Sequence, residues 1–206
     1  MPPYTFLNRP AAKALYSALT EDPFYITLEQ QSQHSGPDAK ESMLRYYDFA
    51  LKEAGEYGRL VFTPDRQSGA SVWATPLDQI KEEDLSRQKK DFILEHLGPN
   101  SLDAYTKIVA FMSEQSQGSV NQKAWYLSIL GVSPSCQGQG LGKALMTQVL
   151  GEADEQGVQI FAESFTPKNF PFYEHLGFEQ VKTIKEPVTG SSYSILARTP
   201  VNGFTD

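Results

Sequence analysis

Two side chains late in the sequence are suited to moving protons. Glu163 lies between Phe161 and Phe165 in the apolar run GVQIFAESF, and Tyr173 follows within NFPFYEHLGF. A carboxylate in apolar surroundings can take a proton from an ammonium group. A phenol, with an unperturbed pKa of about 10, is still protonated near neutrality and can give one up. Upstream stands Gln137-Gly138-Gln139-Gly140-Leu141-Gly142, placed directly between an apolar run and an amphipathic segment. Glycines admit positive φ and let a ligand touch the backbone. The unpaired N–H groups of a following helix, with the positive end of its dipole behind them, would hold phosphate oxygens.

Two familiar phosphate loops nearly fit this stretch. A P-loop needs glycine where Gln137 stands and Ser or Thr where Ala144 follows Lys143, so the magnesium-binding hydroxyl is missing. A dinucleotide-binding loop needs a third glycine where Lys143 stands, although Glu163 lies at the distance of a ribose ligand. A tight strand-to-helix turn, glycine-rich for packing alone, is the remaining alternative. Cys136, just before the loop, is read as a small filler whose alkylation would block ligand binding. His34, His96 and His175 lack metal-ligand spacing, and no metal is expected.

The elements that must position these residues follow from periodicity and punctuation. Helices are expected near residues 10–20, ending before Pro23, and over the segment GPDAKESMLRYYDFALKEAGEYG with Asp38 as its cap. RLVFTPDRQSGASVWATP reads as two short strands about a turn at residues 65–69. The charged stretch 77–97 and residues 101–115 read as helices separated by GPN. From Trp125 the order becomes strand, glycine loop, helix, strand, short helix, strand, strand. WYLSILGV is apolar on both alternating faces, as a covered central strand must be. The helix after the loop should turn Leu141, Ala144, Leu145, Val149 and Ala153 inward. Asn169 is the expected cap of the short helix, with Pro171 in its first turn and Gly177 at its C-terminal end. EQVKTIKEP and SSYSILART should form a closing antiparallel pair. The expected class is α/β or α+β, a mixed central sheet flanked by helices.

Composition bounds the rest. The chain has 206 residues, 40% apolar, with 25 acidic against 18 basic side chains and a net charge of -7. That suits a single domain, and no basic run could follow a nucleic-acid backbone. One cysteine permits no internal disulfide, and no segment reaches membrane-spanning length, so a cytoplasmic home is expected, a nuclear one also being compatible. Nucleic acid and membrane are not expected partners.

The strand-loop pattern WYLSILGVSPSCQGQGLG, followed by FTPKNFPFYEHLGF, resembles the acetyl-CoA-binding core of the GNAT family of N-acetyltransferases, and within it the puromycin N-acetyltransferase group. The likeness spans roughly residues 125–184. It implies the GNAT fold, with central strands that splay apart, an acceptor-side half at residues 1–120 and an acetyl-CoA-binding core with closing strands at 121–206. It implies that Leu130, Gly131 and Val132 pair with the pantetheine arm of acetyl-CoA and that Gln137, Gly138, Gln139, Gly140, Leu141, Gly142 and Lys143 wrap the pyrophosphate. Asn169 would contact the cofactor arm, and Tyr173 stands at the position of the general acid, beside the thioester. Gln137 replaces the family's usual arginine. Glu163 matches a glutamate of the puromycin-type pattern and is either the general base, acting directly or through water, or a carboxylate anchored by a basic partner.

The implied reaction is acetyl transfer from acetyl-CoA to a primary amine of a small molecule, by direct attack through a tetrahedral intermediate. Backbone N–H near Val132 is the expected oxyanion donor. Trp73 and Tyr126 are candidates for the acceptor pocket. A protein or peptide amine acetyltransferase and a non-catalytic CoA-binding regulator are the alternatives, and a homodimer is allowed.

Overall fold

The computed structural model describes residues 4–201. Its helices are α1 (Arg9–Ala18), α2 (Pro23–Gln30), α3 (Pro37–Tyr57), α4 (Gln79–His96), α5 (Pro99–Ser116), α6 (Leu141–Gln156) and α7 (Phe170–Glu174). Its strands are β1 (Arg59–Phe62), β2 (Gly69–Ala74), β3 (Trp125–Val132), β4 (Ile160–Ser164), β5 (Glu179–Lys185) and β6 (Ser192–Arg198).

Local chemistry explains most of these boundaries. The β1–β2 turn is fastened by Asp65, whose Oδ1 accepts from the Thr63 hydroxyl and the N–H groups of Gln67 and Ser68. Asp78 caps α4 by accepting from Lys81 N–H at 3.0 Å. Pro23 does not merely end the first helix. It is the first residue of α2, a helix the sequence reading did not foresee, and Asp22 Oδ1 caps it by accepting from Phe24 N–H at 2.9 Å. The cap position of α3 belongs to Gly36, with Asp38 inside the first turn, where its charge faces the positive end of the dipole.

The six strands run in the order β1-β2-β3-β4-β6-β5. Among the described residues, β3 with β4 is the parallel pair and the other neighbours are antiparallel. Helix α6 packs on one face, where Met146, Val149, Leu150 and Ala153 meet Trp125, Leu127, Ile160 and Ala162. Of the inward set expected for α6, Leu145, Val149 and Ala153 are buried. Ala144 is exposed, and Met146 and Leu150 take the inward places, because the buried stripe lies one position further round the helix. Each fully buried side chain of this kind contributes about 1.5–3 kcal/mol of transfer free energy before entropy is counted.

The opposite face carries Leu15, Leu28, Met43, Tyr47, Leu51, Ile93 and Leu97, from the helices of the first half, against Ala70, Val72 and Ile129. A buried chain of hydrogen bonds links the layers: Trp73 Nε1 donates to Ser71 Oγ at 2.9 Å, and Ser71 Oγ donates to Leu145 O at 2.8 Å. Trp73 is therefore core, 1% exposed, with its polar atom committed inside the protein. Among the described residues, no helix is long and apolar enough to cross a membrane.

Candidate active site

The centre of the sheet is open. β3 pairs with β4 only at Trp125, Tyr126 and Leu127, opposite Ile160, Phe161 and Ala162. Beyond this, β3 stays with β2 and β4 stays with β6. The divergence begins at a bulge: Val72 pairs with Ile129 and Trp73 with Leu127, leaving Ser128 as an extra residue on β3. A bulge bends and twists its own strand, and here it turns β3 away from β4 at the point where their pairing stops.

The backbone of β3 then presents to the gap groups that no neighbouring strand pairs. Ser133 N–H turns toward β2 and donates to Ser68 O at 2.7 Å. Strand alternation therefore points the N–H and C=O groups of Val132 and Leu130 the other way, into the opening, and those of Gly131 toward β2. Gly131 has a packing duty of its own, since a Cβ there would lie 2.8 Å from Leu15 Cδ2 and 3.1 Å from Ala18 Cβ of α1. Val132 O accepts from Gln137 Nε2 at 3.0 Å, so the residue that replaces the expected arginine ties the loop to the strand end.

The glycine loop leads straight into α6. Gly138 and Gly140 have φ of +77° and +78°, a region that side chains resist, and a Cβ on either would meet nothing within 4 Å. Conformation rather than crowding selects glycine there, and the space above the loop is free. Gly142 differs, since its Cβ would approach Phe172 of α7 at 3.3 Å. Among the described residues, the N–H groups of residues 138–143 find no acceptor within the protein; the first helical bond crossing the loop boundary is Ala144 N–H to Gly140 O. These groups, at the N-terminus of a 16-residue helix, suit a diphosphate. The cradle, the unpaired β3 edge and the open space fit the ligand that the sequence motif implies. Gln139 and Lys143 are exposed beside the cradle and Leu141 is half-buried. Cys136 is half-buried, its Sγ 3.5 Å from Ser68 Oγ.

A cavity of about 330 Å³ occupies the gap, lined by Leu127, Ser128, Leu130, Glu163, Asn169 and Tyr173, among others, and on the first-half side by Asp22, Tyr25, Tyr46 and Tyr105. A second, of about 330 Å³, adjoins it beneath the β1–β2 hairpin and shares Tyr126, Ser128 and Lys89 with the first. Asn169 lies on the cavity wall and makes no side-chain cap to α7. The short helix is held by Pro171 and by Gly177, whose φ is +85°.

Tyr173 is buried, its ring edge-on to Phe172 and Phe178 at 5.3 and 5.6 Å. Burial pushes its phenol pKa well up, and the Asp22 charge adds to the effect, so the hydroxyl keeps its proton. Glu163 shares the sheet face of Tyr126 and Phe161, whose rings stack at 4.7 Å. Among the described residues, the anchor of Glu163 is neither Arg nor Lys. The Tyr193 hydroxyl donates to its Oε1, and the Tyr126 hydroxyl faces it too. Burial raises the Glu163 pKa above the usual carboxylate range, and the two tyrosines offset this only in part. Local sequence rules do not reveal Tyr193, because its contact depends on the β4–β6 register, in which Glu163 pairs with Ile195. Asp22 is absent from the sequence expectations as well, although Asp-Pro is the signal of a capped helix start.

A domain model described as an acetyltransferase (GNAT) domain matches residues 76–188, more than half of the chain. The chain belongs to the GNAT acetyltransferase family. Serotonin N-acetyltransferase 2, chloroplastic, of Oryza sativa subsp. japonica is 32% identical over 98 residues, 48% of this chain and 48% of that protein. The chain spans between a quarter and about half of the length of the curated relatives it matches. A solved structure described as histone acetyltransferase HPA2 and related acetyltransferase, from Corynebacterium glutamicum, superposes with a TM-score of 0.61 at 16% identity, covering 98% of this chain and 97% of that one. Arylalkylamine N-acetyltransferase 2 from Aedes aegypti gives 0.58 at 14% identity, covering 96% and 98%. At these identities the likeness is one of fold, and that fold is the GNAT fold.

Proposed function

We propose that this chain transfers an acetyl group from acetyl-CoA to a primary amine on a small molecule. The observation that carries the reading is the gap between β3 and β4. Backbone groups of Leu130 and Val132 face it, the free N–H groups of residues 138–143 stand at one end, and the Tyr173 hydroxyl stands at the wall. Bound there, acetyl-CoA supplies the activated acyl group. Val132 and Leu130 hold the pantetheine arm by strand-like pairing, residues 137–143 hold the diphosphate, and Asn169 contacts the arm. Residues 121–206 supply this cofactor side and residues 1–120 the acceptor side.

An acceptor amine arrives mostly as ammonium, with a pKa of about 10.4 for a lysine-like amine. Glu163 takes the proton, directly or through water. Its raised pKa brings it nearer the working pH, which favours general-base work, while Tyr193 holds the carboxylate in place. A backbone N–H near Val132 is the donor toward the developing oxyanion. Tyr173, kept protonated by burial, gives its proton to the departing sulfur. The small-molecule acceptor is supported by the cavity's size and aromatic lining, and by the amines in the names of the rice and mosquito relatives. The nearness to the puromycin N-acetyltransferase group is carried by the two sequence motifs.

A screen of amines, amino acids, aminonucleosides and basic peptides, reading release of free CoA, tests the proposal. Turnover with small amines is expected. Preference for peptides would move the acceptor class to protein, and tight CoA binding without transfer to any amine would leave a non-catalytic CoA-binding regulator.

A further inference from the structure

Among the described residues, the first cavity has three charged lining residues: Asp22, Lys89 and Glu163. Two are committed inside the protein. Lys89 pairs with Glu53 at 2.5 Å, and Glu163 accepts from Tyr193. Asp22 differs. Its Oδ1 caps α2, and among the described residues no Lys, Arg or His side chain pairs with it. Asn, Ser or Thr would cap the helix as well and would bring no charge into the cavity. A half-buried carboxylate without a cation is costly unless the site supplies one when occupied.

Its position gives that cost a use. Asp22 comes from the first half of the chain and lines the same cavity as Tyr173 and Tyr25, both of which feel its negative charge. Phe24 of α2 stacks on Phe165, just past the end of β4, at 6.5 Å, which fixes the start of α2 beside the gap. Leu19, Phe24, Tyr25 and Tyr105 line the same cavity.

Resting on the transferase reading above, we propose that Asp22 is the recognition residue for the acceptor's ammonium group, and that its charge selects amines without a carboxylate beside the nitrogen. Glu163 and Tyr173 act on protons; Asp22 binds and orients. An acceptor ammonium would give the Asp22 carboxylate, which among the described residues otherwise meets only the backbone N–H groups of Phe24 and Tyr25, a cationic partner. An α-carboxylate on the acceptor would meet Asp22 and Glu163, while Lys89, the one cation among the described lining residues, is already held by Glu53.

The test is steady-state kinetics with acetyl-CoA, using the best amine of the acceptor screen and the same amine carrying an α-carboxylate. The first such pair is 2-phenylethylamine and phenylalanine. Asp22→Asn keeps the helix cap and the side-chain shape, and Asp22→Ser keeps the cap with a smaller side chain, so both are expected to fold; circular dichroism checks this. A hydrogen bond to a charged group corresponds to about ten- to hundredfold in affinity. Both variants should raise KM for the amine at least about tenfold, leave KM for acetyl-CoA within about twofold, and shrink the preference for the amine over the amino acid at least about tenfold. An unchanged amine KM overturns the assignment, as does an equal rise in both KM values, which marks a structural role. Wild-type protein that binds CoA but acetylates no amine overturns the transferase reading itself, and this assignment with it.

Discussion

The Tyr193 hydroxyl donates to the Glu163 carboxylate across the β4–β6 pairing, from a position two residues along β6 from Ile195, the residue opposite Glu163. The bond favours the charged form of a carboxylate that burial would otherwise neutralise. Removing it has a definite sign. Tyr193→Phe should raise the Glu163 pKa further, so the acidic limb of the kcat/KM profile moves to higher pH. Glu163→Gln should lower kcat by about 10²–10⁴-fold, the usual range for a positioned proton-transfer group. It also removes a buried charge, so its Tm at pH 7 should equal or exceed that of the wild type. A pH–rate profile with thermal melts checks all three.

Tyr173→Phe keeps the ring packed against Phe172 and Phe178 and deletes only the hydroxyl. Turnover should fall about 10²–10⁴-fold while CoA affinity stays within about threefold. Pre-steady-state release of thiol, together with calorimetric titration of CoA, separates the two quantities.

Gly140→Ala forces a Cβ onto a residue with φ +78° and adds no new contact. The strain, about 1–2 kcal/mol, falls on the loop conformation that exposes the free N–H groups. CoA should bind about 5–30-fold more weakly, with Tm lowered by a few degrees. Gly142→Ala instead presses on Phe172 and should disturb α7 and Tyr173, so its larger loss should appear in kcat. Parallel calorimetry and kinetics on the two variants distinguish these outcomes.

Asp22 also sets a pH dependence of stability. Burial pushes its pKa up to about 6 from the ordinary 3.8, so the fold favours the protonated form. That contribution is fully present below the ordinary value and is lost as pH rises through about 6. Tyr25, Tyr47 and Tyr173 feel the Asp22 charge and have pKa values raised above the ordinary 10.0, so none titrates in this window. Asp22→Asn, with the cap preserved, should therefore flatten the change in stability between pH 4 and 6. Chemical denaturation across that range measures it.

Much of the second half was legible from the sequence. Covered strands are apolar on both faces, αL glycines punctuate, and Pro171 and Gly177 frame a short helix, so β3, the loop, α6, β4, α7 and the closing pair follow from local rules. What escaped depends on contacts distant in sequence. The Ser128 bulge shows only in the offset against Val72 and Trp73, and the close approach of α1 makes Gly131 a packing residue as well as a strand residue. Tyr193 and Glu163 are linked by register. Asp22 is a different case, because its Asp-Pro signal was local, but Pro23 reads equally well as the end of one helix and the start of another.

On the reading proposed above, the gap between β3 and β4, together with the N–H groups at the start of α6, binds acetyl-CoA. Titrating CoA into ¹⁵N-labelled protein tests it most directly. Saturable shifts in the amides of residues 128–132 and 138–143, at one site per chain, are expected. Shifts absent from both segments at millimolar CoA would contradict it.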